Sequence, residues 1–129
     1  MEQERKRADD IVKKLIDTHT TISTMESCTS GLIASMITDT EGASAIFPGG
    51  YVTYLNETKI LNGVDANVIE KYGVYSRECA NAMAETAQKK GIELTGRMTS
   101  YLHKLDPYRP VTCGINIFFN FLSSMGMGV

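Results

Sequence analysis

The chain contains 129 residues, 43% of them hydrophobic and 22% charged, with a formal net charge of −2 at pH 7. This length and composition predict a single globular domain with a substantial hydrophobic core. The balanced charge provides no basic surface for nucleic acid or anionic lipid, and no apolar run is long enough to cross a bilayer. We therefore expect a domain that binds neither nucleic acid nor a membrane.

Three cysteines, Cys28, Cys79 and Cys113, lie far apart and form no Cys-x-x-Cys pair. Their odd number and wide spacing argue against a disulfide framework and against a zinc site. We expect neither a metal ion nor another cofactor, and free thiols fit a reducing cytoplasm. Residues 1–10 are charged rather than apolar, so we expect no signal peptide there.

The first part of the chain predicts a helix, a strand and a second helix. Residues 4–17 place their apolar side chains on one face of an amphipathic helix. Residues 21–31 predict a buried strand, a tight turn and a helix start, because β-branched residues precede small polar ones and apolar residues follow at helical spacing. Thr29 or Ser30 is the predicted N-cap of this helix, which ends within 39–42.

Further along, the chain predicts a strand at 51–55 and then three helices. The predicted N-caps of these helices are Asn56, Asp65 and Ser76, whose side-chain oxygens can accept a hydrogen bond from the first helical turn. The glycines at which these helices are predicted to end are Gly63, Gly73 and Gly91.

The last part predicts a short strand at 92–95, a loop at 96–112, a strand at 114–121 and a loose tail. Alternating strands and helices of this length predict an α/β layered fold with a largely parallel sheet. Ligands of such folds bind at the carboxyl ends of the strands. The turn after Met25 and the ends of strands 51–55 and 92–95 should therefore share one edge of the sheet.

Three side chains on that edge, Ser27, Tyr54 and Lys59, form a candidate catalytic group. A serine is a poor nucleophile unless a base takes its proton, and neither histidine lies in a convincing Ser-His-Asp setting. Lys59 falls in the first turn of a helix, where the dipole opposes a cation by only about 0.3–1 kcal/mol. Lys59 must therefore also be buried to act as a base.

Tyr54 is predicted to relay the proton or to hold Lys59 in place. The backbone N–H groups from Thr29 to Gly31 are predicted to form an oxyanion hole. Each residue also has a simpler interpretation: the serine as a helix cap, the tyrosine as core or interface, the lysine as a solvated side chain, and Cys28 as a small buried residue. Neither a Gly-x-Gly-x-x-Gly motif nor a Walker A motif is present.

Two longer motifs are more specific. Residues 26–31 read Glu-Ser-Cys-Thr-Ser-Gly, and residues 50–59 read Gly-Tyr-Val-Thr-Tyr-Leu-Asn-Glu-Thr-Lys. They resemble the ESCTGG and G-x-VTYSNxxK motifs of the CinA C-terminal domain family, the PncC-type nicotinamide mononucleotide amidohydrolases. Shorter similarities lie at 42–44, 73–76 and 83–84, so the resemblance covers about residues 8–96.

The resemblance implies a three-layer α/β/α fold with a mostly parallel mixed sheet. It implies hydrolysis of nicotinamide mononucleotide to nicotinic acid mononucleotide and ammonia, without metal. The family's nucleophile, tyrosine and lysine fall on Ser27, Tyr54 and Lys59. The residues that the resemblance places against the nucleotide substrate are Glu26, Cys28, Thr29, Ser30, Gly31, Ser44, Asn56, Thr95 and Gly96.

The chain also departs from the family pattern. Ser30 replaces the first glycine of ESCTGG, Leu55 replaces the serine of YSN, and residues 97–100 replace a Gly/Pro-rich loop at the substrate site. The family's closing long helix, with its arginine, has no counterpart. We therefore expect one CinA-like domain, 1–129, that lacks this helix and covers the exposed strand surface by forming a homo-oligomer or binding a partner.

Three functions follow from these observations. The first is an amidohydrolase that uses Ser27, Lys59 and Tyr54. The second is a catalytically impaired protein of the same fold that acts as a nucleotide-binding or assembly module, because the glycine loop is altered and the final helix is missing. The third is an enzyme in which Cys28 is the nucleophile.

Overall fold

The computed structural model describes residues 1–105 and 114–115, with side chains described for residues 1–91 and 93. It confirms the predicted α/β class. The elements, in chain order, are α1 (Glu2–Asp17), β1 (Thr20–Thr21), β2 (Ser23–Glu26), α2 (Leu32–Thr38), a 3-10 turn (Ala43–Ala45), β3 (Gly49–Val52), α3 (Asn56–Leu61), α4 (Ala66–Tyr72), α5 (Arg77–Leu105) and β4 (Gly114–Ile115).

Among the described residues the strands form two parallel pairs. Strand β2 pairs with β3, with Ser23 opposite Gly49 and Glu26 opposite Val52. Strand β1 pairs with β4, with Thr20 opposite Gly114. Parallel neighbours need a crossover connection, and α2 with the 3-10 turn provides it between β2 and β3.

Helices cover both faces of the segment formed by β1 and β2. Ile22 belongs to a buried cluster that includes Val12 of α1 and Ile37 of α2. Met25, whose side chain points to the opposite face, packs against a second cluster that includes Cys79 of α5. The segment formed by β1 and β2 is thus enclosed by α1 and α2 on one face and by α5 on the other.

The structure confirms several helix predictions. The amphipathic helix predicted at 4–17 is α1, in which Ala8 and Val12 are fully buried. The Asp65 carboxylate accepts a hydrogen bond from the N–H of Asn67, at 2.9 Å, and caps α4. Ser76 Oγ accepts one from the N–H of Cys79, at 3.1 Å, at the start of α5.

Two details between residues 49 and 56 are corrected. The strand predicted at 51–55 is Gly49–Val52, because these four residues pair with the four residues of β2. After them, the Thr53 N–H donates to the Glu26 carbonyl at 2.8 Å, at the last residue of β2. Asn56 is the first residue of α3 rather than its cap. Leu55 occupies the N-cap position, and its side chain makes no capping hydrogen bond.

The predicted helix end at Gly91 is wrong, and so are the strand at 92–95 and the start of the loop at 96–105. Helix α5 continues to Leu105, two residues before Pro107, where proline restricts the preceding backbone. Gly91 lies inside this helix, and a Cβ added there would meet Ser23 Oγ at 2.1 Å. Gly91 therefore permits a close approach of α5 to β2.

The remaining predictions concern the C-terminal part of the chain. Of the strand predicted at 114–121, Gly114–Ile115 is a strand, and the rest lies outside the described residues. The predicted loop at 106–112 and the tail also lie outside them. Within the described part of the chain, no helix combines the length and the hydropathy needed to cross a bilayer.

The close approach at Gly91 generates a stability prediction. Gly91→Ala should lower the free energy of unfolding by about 1–3 kcal/mol through overpacking against Ser23. Adding Ser23→Ala, which removes the hydroxyl, should recover much of this loss in urea denaturation. A single variant more stable than wild type, as expected for an unconstrained helix interior, would contradict the packing argument.

Candidate active site

The turn that carries Ser27 joins β2 to α2 and has a constrained backbone. The Ser30 N–H donates to the Ser27 carbonyl at 3.1 Å, and the Leu32 N–H donates to the Thr29 carbonyl at 3.0 Å. Ser30 and Gly31 have φ angles of 53° and 98°, both in the left-handed region. Glycine adopts this conformation readily, whereas a serine pays a steric cost.

The buried carboxylate of Glu26 caps helix α2. Its Oε1 accepts hydrogen bonds from the N–H groups of Gly31, at 3.2 Å, and Ile33, at 2.9 Å, and its Oε2 accepts one from Ala34, at 3.1 Å. Glu26 is 3% exposed. The predicted N-cap at Thr29 or Ser30 is therefore wrong. The side chain of Glu26, from the preceding strand, extends across the turn and accepts the hydrogen bonds of the first helical turn.

The same hydrogen bonds narrow the predicted oxyanion hole. The Ser30 N–H is bound to the Ser27 carbonyl, and the Gly31 N–H is bound to the Glu26 carboxylate. Of the three N–H groups predicted to form the hole, only that of Thr29 is not used by a hydrogen bond described for residues 1–93.

Lys59 lies beside Ser27, although 32 positions separate them in the chain. The Nζ atom of Lys59 is 3.2 Å from Ser27 Oγ, 2.7 Å from the Thr53 carbonyl oxygen and 3.1 Å from the Tyr54 carbonyl oxygen. The residue is only 3% exposed. The solvated interpretation of Lys59 is therefore wrong, and the burial that base chemistry requires is present.

Tyr54 reaches this group through its backbone. Its carbonyl oxygen accepts a hydrogen bond from Lys59 Nζ, while the residue as a whole is 70% exposed. This exposure argues against the interpretation of Tyr54 as a core residue. The role of its phenol group stays a prediction.

Cys79 of α5 is a neighbour of Lys59 that the sequence analysis did not predict near the site. Its side chain is fully buried, in a cluster with Val64 and Met83. Burial raises the pKa of the Cys79 thiol, and the positive charge of Lys59 opposes that rise. Apolar side chains of α5 therefore pack beside the site. The periodicity of α5 predicts an apolar face, but it does not predict which strand end that face contacts.

The other predicted site residues occupy different settings. Cys28 and Ser30 are exposed in the turn, and Thr29 and Gly31 are half-buried. Ser44 is exposed in the 3-10 turn, and Asn56 is exposed at the start of α3.

Thr95 and Gly96 lie within α5 rather than after a strand, so the strand end that would carry them to the substrate is not formed. Within the described residues, no group of three or more His, Cys, Asp or Glu side chains is arranged to hold a metal ion.

The backbone of the turn generates a second stability prediction. Ser30→Gly should raise the free energy of unfolding by about 0.5–1 kcal/mol, because glycine removes the steric cost of the left-handed conformation. The matched control is Ser35→Gly, an exposed position inside α2, which should lower stability by about 0.5–1 kcal/mol. Equal effects of the two substitutions in urea denaturation would contradict the strained turn.

Several known proteins are similar to this chain in sequence. A CinA-like protein of Fervidobacterium nodosum is 44% identical over 82 residues, 63% of this chain and 20% of that protein. A competence-damage inducible protein of Lysinibacillus sphaericus is 39% identical over 116 residues, 85% of this chain and 28% of that protein. The chain thus spans about a fifth to somewhat over a quarter of these relatives.

Solved structures share the fold. The competence/damage inducible protein CihA of Agrobacterium tumefaciens superposes with a TM-score of 0.64 and 35% identity, over 68% of this chain and 54% of that chain. A CinA superfamily protein of Escherichia coli superposes with a TM-score of 0.64 and 26% identity, over 67% of this chain and 51% of that chain.

The sequence model of the CinA C-terminal domain matches residues 4–94, which include the Ser27 turn, Lys59 and the start of α5. This match covers well over half of the 129 residues. The chain belongs to the CinA C-terminal domain family.

Proposed function

We propose that this domain is an amidohydrolase that converts nicotinamide mononucleotide to nicotinic acid mononucleotide and ammonia, with Ser27 as the nucleophile. The observation that carries the proposal is the buried Lys59 Nζ atom, 3.2 Å from Ser27 Oγ. A nucleophilic serine needs an adjacent base, and this is the side-chain contact that can supply one. The choice of substrate rests on the family motifs at 26–31 and 50–59.

The contacts of Lys59 match those of a neutral amine acting as a base. A neutral amine has two N–H donors and one lone pair. The carbonyls of Thr53 and Tyr54 accept its two hydrogen bonds, which directs the lone pair toward the Ser27 hydroxyl.

The proposed reaction has two steps. Ser27 Oγ attacks the carboxamide carbon while Lys59 takes the hydroxyl proton, and the C–N bond then breaks as Lys59 returns that proton to the departing ammonia. The resulting ester on Ser27 is hydrolysed by a water molecule, whose proton passes through Lys59 back to Ser27. The Thr29 N–H is the proposed donor to the developing oxyanion.

The carbonyl of Tyr54 holds Lys59 in place, and a relay role for its phenol group stays a prediction. Cys28 is exposed beside Ser27, and the described contacts of Lys59 Nζ are with Ser27, Thr53 and Tyr54 rather than with Cys28. This arrangement favours the serine over the cysteine as the nucleophile.

A nucleotide-binding module without turnover is the second candidate. Its supporting observation is that three acceptors surround Lys59 Nζ, which also satisfies the three donors of a charged ammonium group. In that protonation state Lys59 joins the turn to the end of β3 without acting as a base. Measurements of turnover distinguish the two candidates.

We predict that the wild-type protein releases ammonia from nicotinamide mononucleotide and that Ser27→Ala lowers kcat by at least about 1,000-fold. Ser35→Ala, at an exposed serine of α2 outside the predicted site, is the matched control and should leave the rate within about twofold of wild type. A coupled assay for ammonia measures both variants. Circular dichroism confirms that each is folded.

Folded wild-type protein that binds the nucleotide without releasing ammonia would overturn the enzymatic proposal in favour of the binding module. Loss of turnover in Cys28→Ser, with turnover retained in Ser27→Ala, would instead identify the cysteine as the nucleophile.

A further inference from the structure

The Glu26 carboxylate has no part in the proposed proton transfers, although it is the acidic group nearest in sequence to Ser27. Both of its oxygens are occupied by backbone N–H groups of Gly31, Ile33 and Ala34. The carboxylate is almost completely buried. The three backbone hydrogen bonds to its two oxygens fix the orientation of the carboxylate.

These hydrogen bonds close a short loop around the nucleophile. Glu26 ends β2, Gly31 precedes α2, and Ser27 lies between them. The loop includes the left-handed Ser30, a conformation that serine persists in only where the surroundings hold it. The hydrogen bond from the Gly31 N–H to the Glu26 carboxylate restrains the residue next to Ser30 in this way.

The backbone of Glu26 connects the same residue to Lys59. The Glu26 carbonyl accepts a hydrogen bond from the Thr53 N–H at 2.8 Å. The Thr53 carbonyl in turn accepts one from Lys59 Nζ at 2.7 Å. The side chain of Glu26 therefore binds the turn that carries Ser27. Its main chain binds Thr53, at the end of the strand whose carbonyl groups hold Lys59.

We propose that Glu26 is a positioning residue that fixes Ser27 Oγ against Lys59 Nζ, rather than a ligand of the substrate. The inference deepens the proposed function and rests on it for the catalytic readout. A displacement of about 1 Å between reacting groups can cost about 100-fold in rate. Loss of the Glu26 hydrogen bonds should therefore lower kcat while changing KM little.

The first experiment compares Glu26→Gln with Glu57→Gln. Glu26→Gln keeps one carbonyl oxygen but turns an amide NH₂ toward a backbone donor. Glu57 is an exposed glutamate in the first turn of α3, the helix that carries Lys59, and its substitution removes the same charge. We expect kcat to fall by about 10- to 100-fold in Glu26→Gln, with KM within about twofold, and neither constant to change in Glu57→Gln.

The second experiment does not require amidohydrolase activity. In a Ser27→Cys protein that also carries Cys28→Ser and Cys113→Ser, the introduced thiol lies next to Lys59, whose amino group can take the thiol proton and leave the reactive thiolate. We expect Glu26→Gln to slow its alkylation by iodoacetamide at pH 7 by about 5- to 10-fold. Glu57→Gln should leave the rate unchanged, and peptide mass spectrometry separates the product from any at buried Cys79.

The results decide the proposal in each case. A fall in kcat together with slower alkylation supports the positioning role. An unchanged alkylation rate in Glu26→Gln overturns the proposal. If kcat is also unchanged, Glu26 is dispensable; if kcat falls, Glu26 acts on the substrate directly. Slower alkylation with unchanged kcat, or a change confined to KM, also contradicts it. If the wild-type protein releases no ammonia, the proposed function fails and the alkylation rate alone decides the role of Glu26.

If Glu26→Gln does not fold, Gly31→Ala tests the same turn with the carboxylate retained. An added Cβ at Gly31 has space, with Val52 Cγ2 at 3.8 Å, but the φ of 98° strains it. We expect the same slowing of alkylation in this variant, and an unchanged rate would contradict the proposal.

Discussion

Burial of the Lys59 amino group is the constraint on which the rest of the site depends. A buried amine without partners would be strongly destabilising, so the chain must bring hydrogen-bond partners to it. Two of these are the carbonyls of Thr53 and Tyr54, which the end of β3 places there, and the third is the hydroxyl of Ser27 from the turn after β2. The pairing of β2 with β3 is therefore a requirement of the site as well as of the fold.

Much of this arrangement could be predicted from the sequence, because it depends on local patterns. The amphipathic stripe of α1, the caps at Asp65 and Ser76, and the strand–turn–helix around Ser27 follow from residue type and spacing, and all are present. The convergence of Ser27 and Lys59 was predicted from the rule that ligand sites lie at the carboxyl ends of parallel strands. Their contact in the structure agrees with that rule.

The errors arose where a residue serves a tertiary contact instead of a local preference. Gly91 looked like a helix end, but its missing side chain makes room for Ser23, and α5 continues past it. Residues 92–95 alternate in polarity over too short a span to distinguish a strand from a helix. Residue type predicts the cap of α2 within the turn, whereas the Glu26 side chain from β2 supplies it across the turn, which residue spacing alone does not reveal.

The most direct test of the Ser27–Lys59 pair as one catalytic unit is a double-mutant cycle. Ammonia release from nicotinamide mononucleotide would be measured for Ser27→Ala, Lys59→Met and the double variant, since methionine keeps most of the volume of the buried lysine. If the two residues act together, the double variant loses no more activity than the worse single variant. Losses that multiply in the double variant would show that Ser27 and Lys59 act independently and would contradict the account.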